Sequence, residues 1–560
     1  MIRLFVFALA YLLLSILSGN VSAQNSGEMV PPGTDAEYRW WDLLHYAIEV
    51  TPDFNSKSIK GTNAIRFKAL QTGKVIRINL IEPMKITAVT SKNDQLHYKR
   101  LNNHEYDIVL INPIYKSDTA TITVHFEGTP KASLNPPFDG GGWIWAKDTL
   151  GRPWMSIACE GPGAAIWVPC KNALYDEPDN GVTMNLTVPD TLIGVSNGRL
   201  ISRTQQNNNT SSYTWNVVNP INHYNITVYI GKYVTWHIDY NGKKGKLDTD
   251  FWVLDYNLDK AKLHFRQADT LLQCFEEWLG PFPFYEDGYK VVEAPMPGME
   301  HQSAIAYGNG FANGYRRGNL SGTKWGELWD FILVHESGHE WFGNSLTGES
   351  WIHEGFTKYL ETIYTSHLYG VEAGNDYAIG INKRIKNNKP VIGGNTSDYY
   401  NKASAMLHMI RQITGDTVFK KMLQALNNTF YHSIVNTGQI LQVMNKIADR
   451  DFTKIFDQYL TTIDIPVLEY TIENKTLRYR WTGCVGGFNM PVKISVGSLK
   501  DYFIYPETKW KMLELKSGNG GLTVDRNFYV SSRAKRGISR SNAGIRMTLL
   551  LKNDRFRRNS

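Results

Sequence analysis

Between about residues 35 and 233, apolar and polar positions alternate with a period of two in short runs. HYAIEV, VIRINL, ATITVHF and GVTMNLTV are such runs, separated by Asn, Gly, Asp and Pro. Strict alternation places the apolar side chains on one face of a strand, and the separators are turn formers. The pattern predicts an antiparallel β domain over residues 24–235, with a glycine-rich loop at Gly140, Gly141 and Gly142. Near Asp255 the period changes. Ala261, Phe265, Ala268, Leu272, Phe275 and Leu279 fall on one face of a helix, which Gly280-Pro281 terminates. The same spacing predicts helices at about 323–343, 352–368, 402–414 and 437–449, so residues 236–460 read as a mainly helical domain. Beyond Ile465 the alternation returns in VLEYTI, LRYRW and PVKISV, which predicts a small β domain over 461–532. The fold class is therefore multidomain α+β, as expected for 560 residues, too many for one core.

The two ends of the chain depart from this pattern. Met1-Ile2-Arg3 is followed by an almost unbroken apolar run over residues 4–17 and then by Val21-Ser22-Ala23, the layout of a secretory signal spanning 1–23. So short a run does not comfortably cross about 30 Å of hydrocarbon. No later segment is long and apolar enough to do so, and the expectation is an exported protein, periplasmic or extracellular, with no integral membrane segment after cleavage. From Arg533 to the end there are nine Lys or Arg and one Asp, so the formal charge of +7 resides in a tail that reads as disordered, 533–560. The remainder is close to neutral, and no nucleic-acid partner is expected. Four cysteines are too few to act as a scaffold. An oxidising compartment would permit Cys159 and Cys170 to pair, two separate buried thiols being the alternative, and Cys274 and Cys484 read as core residues.

Chemistry concentrates in HESGHEWFGNSLTGESWIHEGF, residues 335–356. Leu328, Ile332 and Leu333 precede His335 in a helical register, so His335 and His339 lie one above the other on a helix. Two imidazoles so placed can each offer a ring nitrogen to one zinc ion, about 2.0–2.1 Å away. Glu336, beside the first, is positioned to take a proton from the attacking water. Hydrolytic zinc sites use three protein ligands, and two His plus one Glu is a recurrent set. Glu354 begins the next helix and is the favoured third ligand, with His353 as its competitor.

A second stretch, PMPGMEHQSAIAYGN at 295–309, carries a resemblance. Gly298-Met299-Glu300-His301 is similar to the GxMEN motif of the zinc aminopeptidases of the aminopeptidase N and leukotriene hydrolase type, with His301 in place of Asn. The catalytic helix of that family reads HExxHxWFGN, which residues 335–344 reproduce. Cys159-Glu160, Asp176-Glu177-Pro178 and Tyr400-Asn401-Lys402 extend the likeness over most of residues 36–530. The resemblance implies a β saddle, a thermolysin-like catalytic domain and a small β domain in succession, one zinc per chain, and peptides with a free N-terminus as substrates. It implies that Glu160 and Glu300 bind the α-ammonium. Two carboxylates beside a zinc site also make physical sense as a pocket for one fixed positive charge, which would place the first peptide bond over the metal. By the same resemblance Tyr400 donates to the oxyanion, Gly298 offers its backbone to the substrate, and Met299 borders the first side-chain pocket.

The sequence departs from that pattern in two places. Only fourteen residues separate His339 from Glu354, fewer than the family uses, and Ala403 stands where the family has glycine after the lysine. A tighter loop either still delivers Glu354 or displaces it by several ångströms. The reading is a zinc aminopeptidase. A peptide-binding protein impaired by the short loop, and a thermolysin-like endopeptidase, are the alternatives.

Overall fold

A computed structural model of the protein describes residues 35–497, 500–516 and 520–535. The proposed signal segment, and the basic tail from residue 536 onward, lie outside the described residues. The chain divides after Ile463 into two compact units.

The first unit opens with an eight-stranded sheet. The strand Trp41–Asp53 alternates buried and exposed positions, with Tyr46, Ile48 and Val50 facing the core and Glu49 facing out. It pairs antiparallel with Ser58–Ala69 and parallel with Val182–Pro189, Tyr46 lying opposite Val182. The sheet is thus mixed rather than purely antiparallel, because about 130 residues of chain intervene before the second neighbour returns and no hairpin constrains its direction. A four-stranded sheet contains Pro153–Ala158, which runs directly into Cys159 and Glu160 and so fixes where that carboxylate emerges. Cys159, Cys170 and Cys274 are buried free thiols, and Cys484 is a half-buried free thiol.

A five-stranded sheet follows where the sequence predicted mainly helix. Its order is Tyr233–Gly242, Gly245–Leu254, Tyr289–Glu293, Ile305–Tyr307 and, at the edge, Gly298–Met299. Several of these strands are too short for periodicity to register. The helices are α1 (Leu258–His264), α2 (Gln267–Leu279), α3 (Phe331–Gly338), α4 (Ser350–Tyr369), α5 (Val371–Asn382), α6 (Asp398–Thr414), α7 (Asp416–Thr429), α8 (Thr437–Ala448) and α9 (Thr453–Thr461). The helix expected through Phe265 breaks there. Phe265 packs edge-on against Tyr307 at 4.8 Å and stacks on Phe251 at 5.2 Å, and this aromatic cluster overrides the helical register. Gly280 does end α2, at φ 103°. Helices α5, α7 and α9 were not foreseen from the sequence.

The helix expected over 323–343 spans only Phe331–Gly338. Asp330 starts it, accepting the Leu333 N–H at 3.0 Å, while residues before it form a 3₁₀ turn and Leu328 is exposed. At the other end the chain turns through Gly343, whose φ of 133° favours glycine, with Asn344 N–H closing onto the His339 carbonyl at 2.9 Å.

The second unit holds a four-stranded sheet, in the order Lys511–Glu514, Thr476–Thr482, Val467–Glu473, Ser531–Ala534, and a three-stranded one, Tyr502–Ile504, Val492–Val496, Leu522–Val524. Leu468, Leu477, Trp481, Val492 and Ile494 are buried in it. Arg533, expected in a disordered tail, belongs instead to the last strand and pairs with Glu469 at 3.0 Å. Among the described residues no helix is long and apolar enough to cross a membrane.

Candidate active site

Helix α3 and the turn that ends it bring His335 and His339 together, and α4 adds Glu354. The two Nε2 atoms are 3.3 Å apart, and Glu354 Oε2 lies 3.3 Å from the first and 3.4 Å from the second. Tetrahedral zinc with bonds of about 2.0 Å sets its ligand atoms about 3.3 Å apart. The triangle therefore has the size the ion requires.

The far sides of the rings fix which nitrogen is free. His335 Nδ1 donates to Glu361 Oε1 at 2.9 Å, and His339 Nδ1 donates to the Phe342 carbonyl at 2.9 Å. Each Nε2 is thereby turned toward the common point, where it can offer its lone pair to a cation that displaces its proton. Glu361 is fully buried and also receives Lys358 Nζ at 2.8 Å and Tyr377 OH at 2.6 Å. Burial by itself depresses an imidazole pKa, yet the facing carboxylates hold His335 up at about 9 and His339 at about 10. The site stabilises positive charge, the electrostatic condition for holding a cation.

The short connection brings the Glu354 carboxylate beside both histidines. After Gly343 the chain makes a two-residue bridge, Leu346–Thr347 beside Ser433–Ile434, and enters α4 directly. His353 is not a competitor: its Nε2 accepts the Gly348 N–H at 2.8 Å, so the ring faces the connection, and burial lowers its pKa to about 4.

Tyr400, in the first turn of α6, donates to Glu354 Oε1 at 2.6 Å. Burial, and after it the Glu354 charge, push its phenol pKa well up, so it remains a neutral donor. The missing glycine at 403 is matched across the helix pair. A Cβ on Gly355 would come within 2.6 Å of the Ala403 methyl, so the small residue sits on α4 rather than α6 and the helices still approach closely.

Gly298 lies on the edge strand, and a Cβ there would fall 2.6 Å from Glu336 Oε1 and 2.8 Å from Ile332 Cγ2. Its bareness makes room for the Glu336 carboxylate as well as leaving strand backbone beside the cleft. Met299 is 2% exposed and belongs to the core as much as to the cavity wall. Glu300 is held by its backbone: Asn344 Nδ2 donates to its carbonyl at 2.8 Å and to Glu340 Oε2 at 3.2 Å. Glu340 in turn accepts the Ser303 N–H at 2.9 Å. His301, in the place of the motif's Asn, turns away to Tyr229 OH at 2.6 Å and is kept neutral by burial, its pKa lowered to about 3.

A cavity of about 560 Å³ is lined by Glu160, Gly298, Met299, Glu300, His335, Glu336, His339, Glu354 and Tyr400, all nine of the residues singled out in the sequence. Glu160 opens onto this cleft, with protein surrounding the cleft itself. Burial first, and then neighbouring carboxylates, raise the pKa of Glu160, of Glu300 and of Glu336, the last to about 7. Glu354 goes the other way: against the effect of burial, His339 and His335 hold it well below the ordinary carboxylate range. Sequence reasoning overlooked Glu361, Asn344 and Glu340. Glu361 was within reach, because it falls on the same face of α4 as Glu354, seven residues on.

The chain matches the sequence model of the Peptidase M1 N-terminal domain over residues 43–224 and that of the Peptidase family M1 domain over 290–459. It is 21% identical to leukotriene A-4 hydrolase of Xenopus laevis over 73% of this chain and 69% of that protein. With leucine aminopeptidase 2 of Saccharomyces cerevisiae it shares 21% identity, over 64% of this chain and 53% of the yeast protein. Among solved structures, a mutant M1 zinc metallopeptidase of Deinococcus radiodurans bound to a Tyr-Ser-Ala substrate superposes with a TM-score of 0.63 at 18% identity, covering 76% of this chain and 94% of that one. The likeness at that identity is one of fold. Both domain models match in order, and the donor triangle lies within the second, so the chain belongs to peptidase family M1 and is a zinc metallo-aminopeptidase.

Proposed function

We propose that this enzyme removes the N-terminal residue from unblocked peptides, with the work divided among the nine cavity residues. Glu160 and Glu300 take the α-ammonium. Glu300 is buried and Glu160 opens onto the cleft, and among the described residues neither is in an ion pair. Desolvation and neighbouring carboxylates disfavour their charge, against a smaller opposing effect of His339, until a substrate amine arrives. That contact places the first peptide bond, and no later one, beside His335, His339 and Glu354. These three would hold zinc, which when bound would supply Lewis acidity for the carbonyl and lower the pKa of water toward ~7. Glu336, poised near neutrality, accepts the proton of the attacking water and passes it to the leaving amine. The Tyr400 phenol leaves Glu354 and donates to the oxyanion as the carbonyl becomes tetrahedral. The Gly298–Met299 edge offers unpaired backbone to the substrate chain.

The observation that carries this reading is that the donor triangle shares one cavity with two further carboxylates, Glu160 and Glu300, that form no ion pair among the described residues. An endopeptidase has no use for the second feature. The impaired-binder alternative rested on a displaced Glu354, and its oxygen stands 3.3 and 3.4 Å from the two imidazoles. The N-terminal segment 1–23 supports work outside the cytoplasm. The test is turnover of an alanyl arylamide and of an N-acetylated peptide by zinc-loaded protein. Hydrolysis of the first with the second left intact is expected, and cleavage of the blocked peptide would establish endopeptidase action instead.

A further inference from the structure

The same cavity has a basic wall that the steps above leave unused. Arg384 and Lys386 line it alongside the catalytic residues. Both are exposed, and among the described residues neither side chain forms an ion pair, although the cavity contains four carboxylates, Glu160, Glu300, Glu336 and Glu354. They come from the connection between α5 and α6, whose run KRIKNNK carries four cations and no acid. Its backbone is fixed. The buried Asp398 carboxylate accepts the N–H groups of Lys386 at 2.8 Å and Asn387 at 2.6 Å. Asp398 is the first residue of α6, two before Tyr400, so the position of Lys386 is tied to that of the tyrosine.

We infer that Arg384 and Lys386 recognise a carboxylate on the leaving fragment of the substrate. This rests on the aminopeptidase reading, which sets the direction of the chain. With the amine at Glu160 and Glu300 and the scissile carbonyl beside the triangle and Tyr400, the remaining residues are left the rest of the cavity wall, which Arg384 and Lys386 help to form. A cavity of about 560 Å³ encloses a peptide of only a few residues, so a free C-terminus is within reach of the basic pair. The favoured substrates are short peptides, held by opposite charges at their two ends. Two sources supply the carboxylate, the chain terminus or an acidic side chain just after the cut, and the guanidinium and ammonium serve for either.

The experiment compares kcat/KM for Ala-Ala-Ala, its C-terminal amide, and Ala-Asp-Ala amide, in the zinc-loaded protein and in Arg384→Ala/Lys386→Ala. The free acid should exceed the plain amide by about tenfold, with the gap narrowing at high salt. In the double variant the ratio should fall to near unity, while Arg384→Lys/Lys386→Arg should preserve it; thermal unfolding midpoints equal to the parent exclude misfolding as the cause. Recovery of the preference by Ala-Asp-Ala amide assigns the source to a side chain, and its failure to recover assigns it to the terminus. Equal rates for acid and amide in the parent, with brisk release of alanine from both, would overturn this inference and leave the aminopeptidase reading intact. Absence of alanine release from every peptide would remove both.

Discussion

The site contains two kinds of glutamate, among the four on the cavity wall and Glu361 buried behind it. Glu354 and Glu361 are paired with imidazoles, at 3.3 and 2.9 Å from His335, and their pKa values are lowered although both are buried. Glu300 and Glu336 share the burial and Glu160 opens onto the same cleft; among the described residues none of the three has a cationic partner in hydrogen-bond contact, and their pKa values are raised. Glu300 and Glu336 are as buried as Glu354, so between these the difference lies in what each carboxylate faces. The paired acids are held in their charged form by the imidazoles they face, the state a metal ligand and the support behind one require. The unpaired ones are suited to change state, accepting either a proton or an ammonium ion during the reaction.

The sharpest way to break this contrast is to remove a paired acid from the triangle. Glu354→Ala should abolish both bound zinc and turnover, as read by metal analysis of the purified protein beside an arylamide assay; zinc retained at one per chain would refute the ligand assignment. Next in size is Glu336→Gln, on the unpaired side. Zinc should stay, kcat should fall about 10²–10⁴-fold, and a loss of less than tenfold would remove Glu336 as the base. Glu300→Ala should raise KM for free-amine peptides about 10–100-fold and weaken the discrimination against acetylated ones, with kinetics on the matched pair as the measurement. Smallest is Glu361→Gln, which keeps shape but loses the charge behind His335. Zinc affinity should drop about 10–100-fold, measured by competition with a chelator, while activity at saturating zinc stays within a few-fold of the parent. If Glu300→Ala and Glu361→Gln shifted the same parameter, the two groups of glutamates would not be functionally distinct.

Much of the site was legible because its residues occupy fixed offsets on helices. The four-residue step from His335 to His339 is a statement about one helix face, and it needs no tertiary information. The fate of Glu354 was not legible. Whether a fourteen-residue connection delivers it depends on Gly343 turning the chain and on the bridge between Leu346–Thr347 and Ser433–Ile434, a contact with a segment some 90 residues away. The surroundings of Ala403 were equally hidden, since its methyl faces Gly355 on another helix, where a Cβ would come within 2.6 Å. Among the elements, α3 was predicted too long because Asp330 and Gly343 bound it through capping and a left-handed turn, which an apolar period does not register.

Glu160, Gly298, Met299, Glu300 and Tyr400 were marked by resemblance to a known family; by itself, the order of residues determined the alternation that makes the β domain, the helix that stacks two imidazoles, and the place of Glu336 beside them. Those follow from period and bonding capacity, which are local properties. Only the folded chain decided that the nine line one cavity, which nitrogen of each histidine is free, and which glutamates meet a counter-charge. Each of these depends on groups brought close from distant parts of the chain, and the strength of an electrostatic contact follows separation in space and shielding from water, neither of which distance along the sequence encodes.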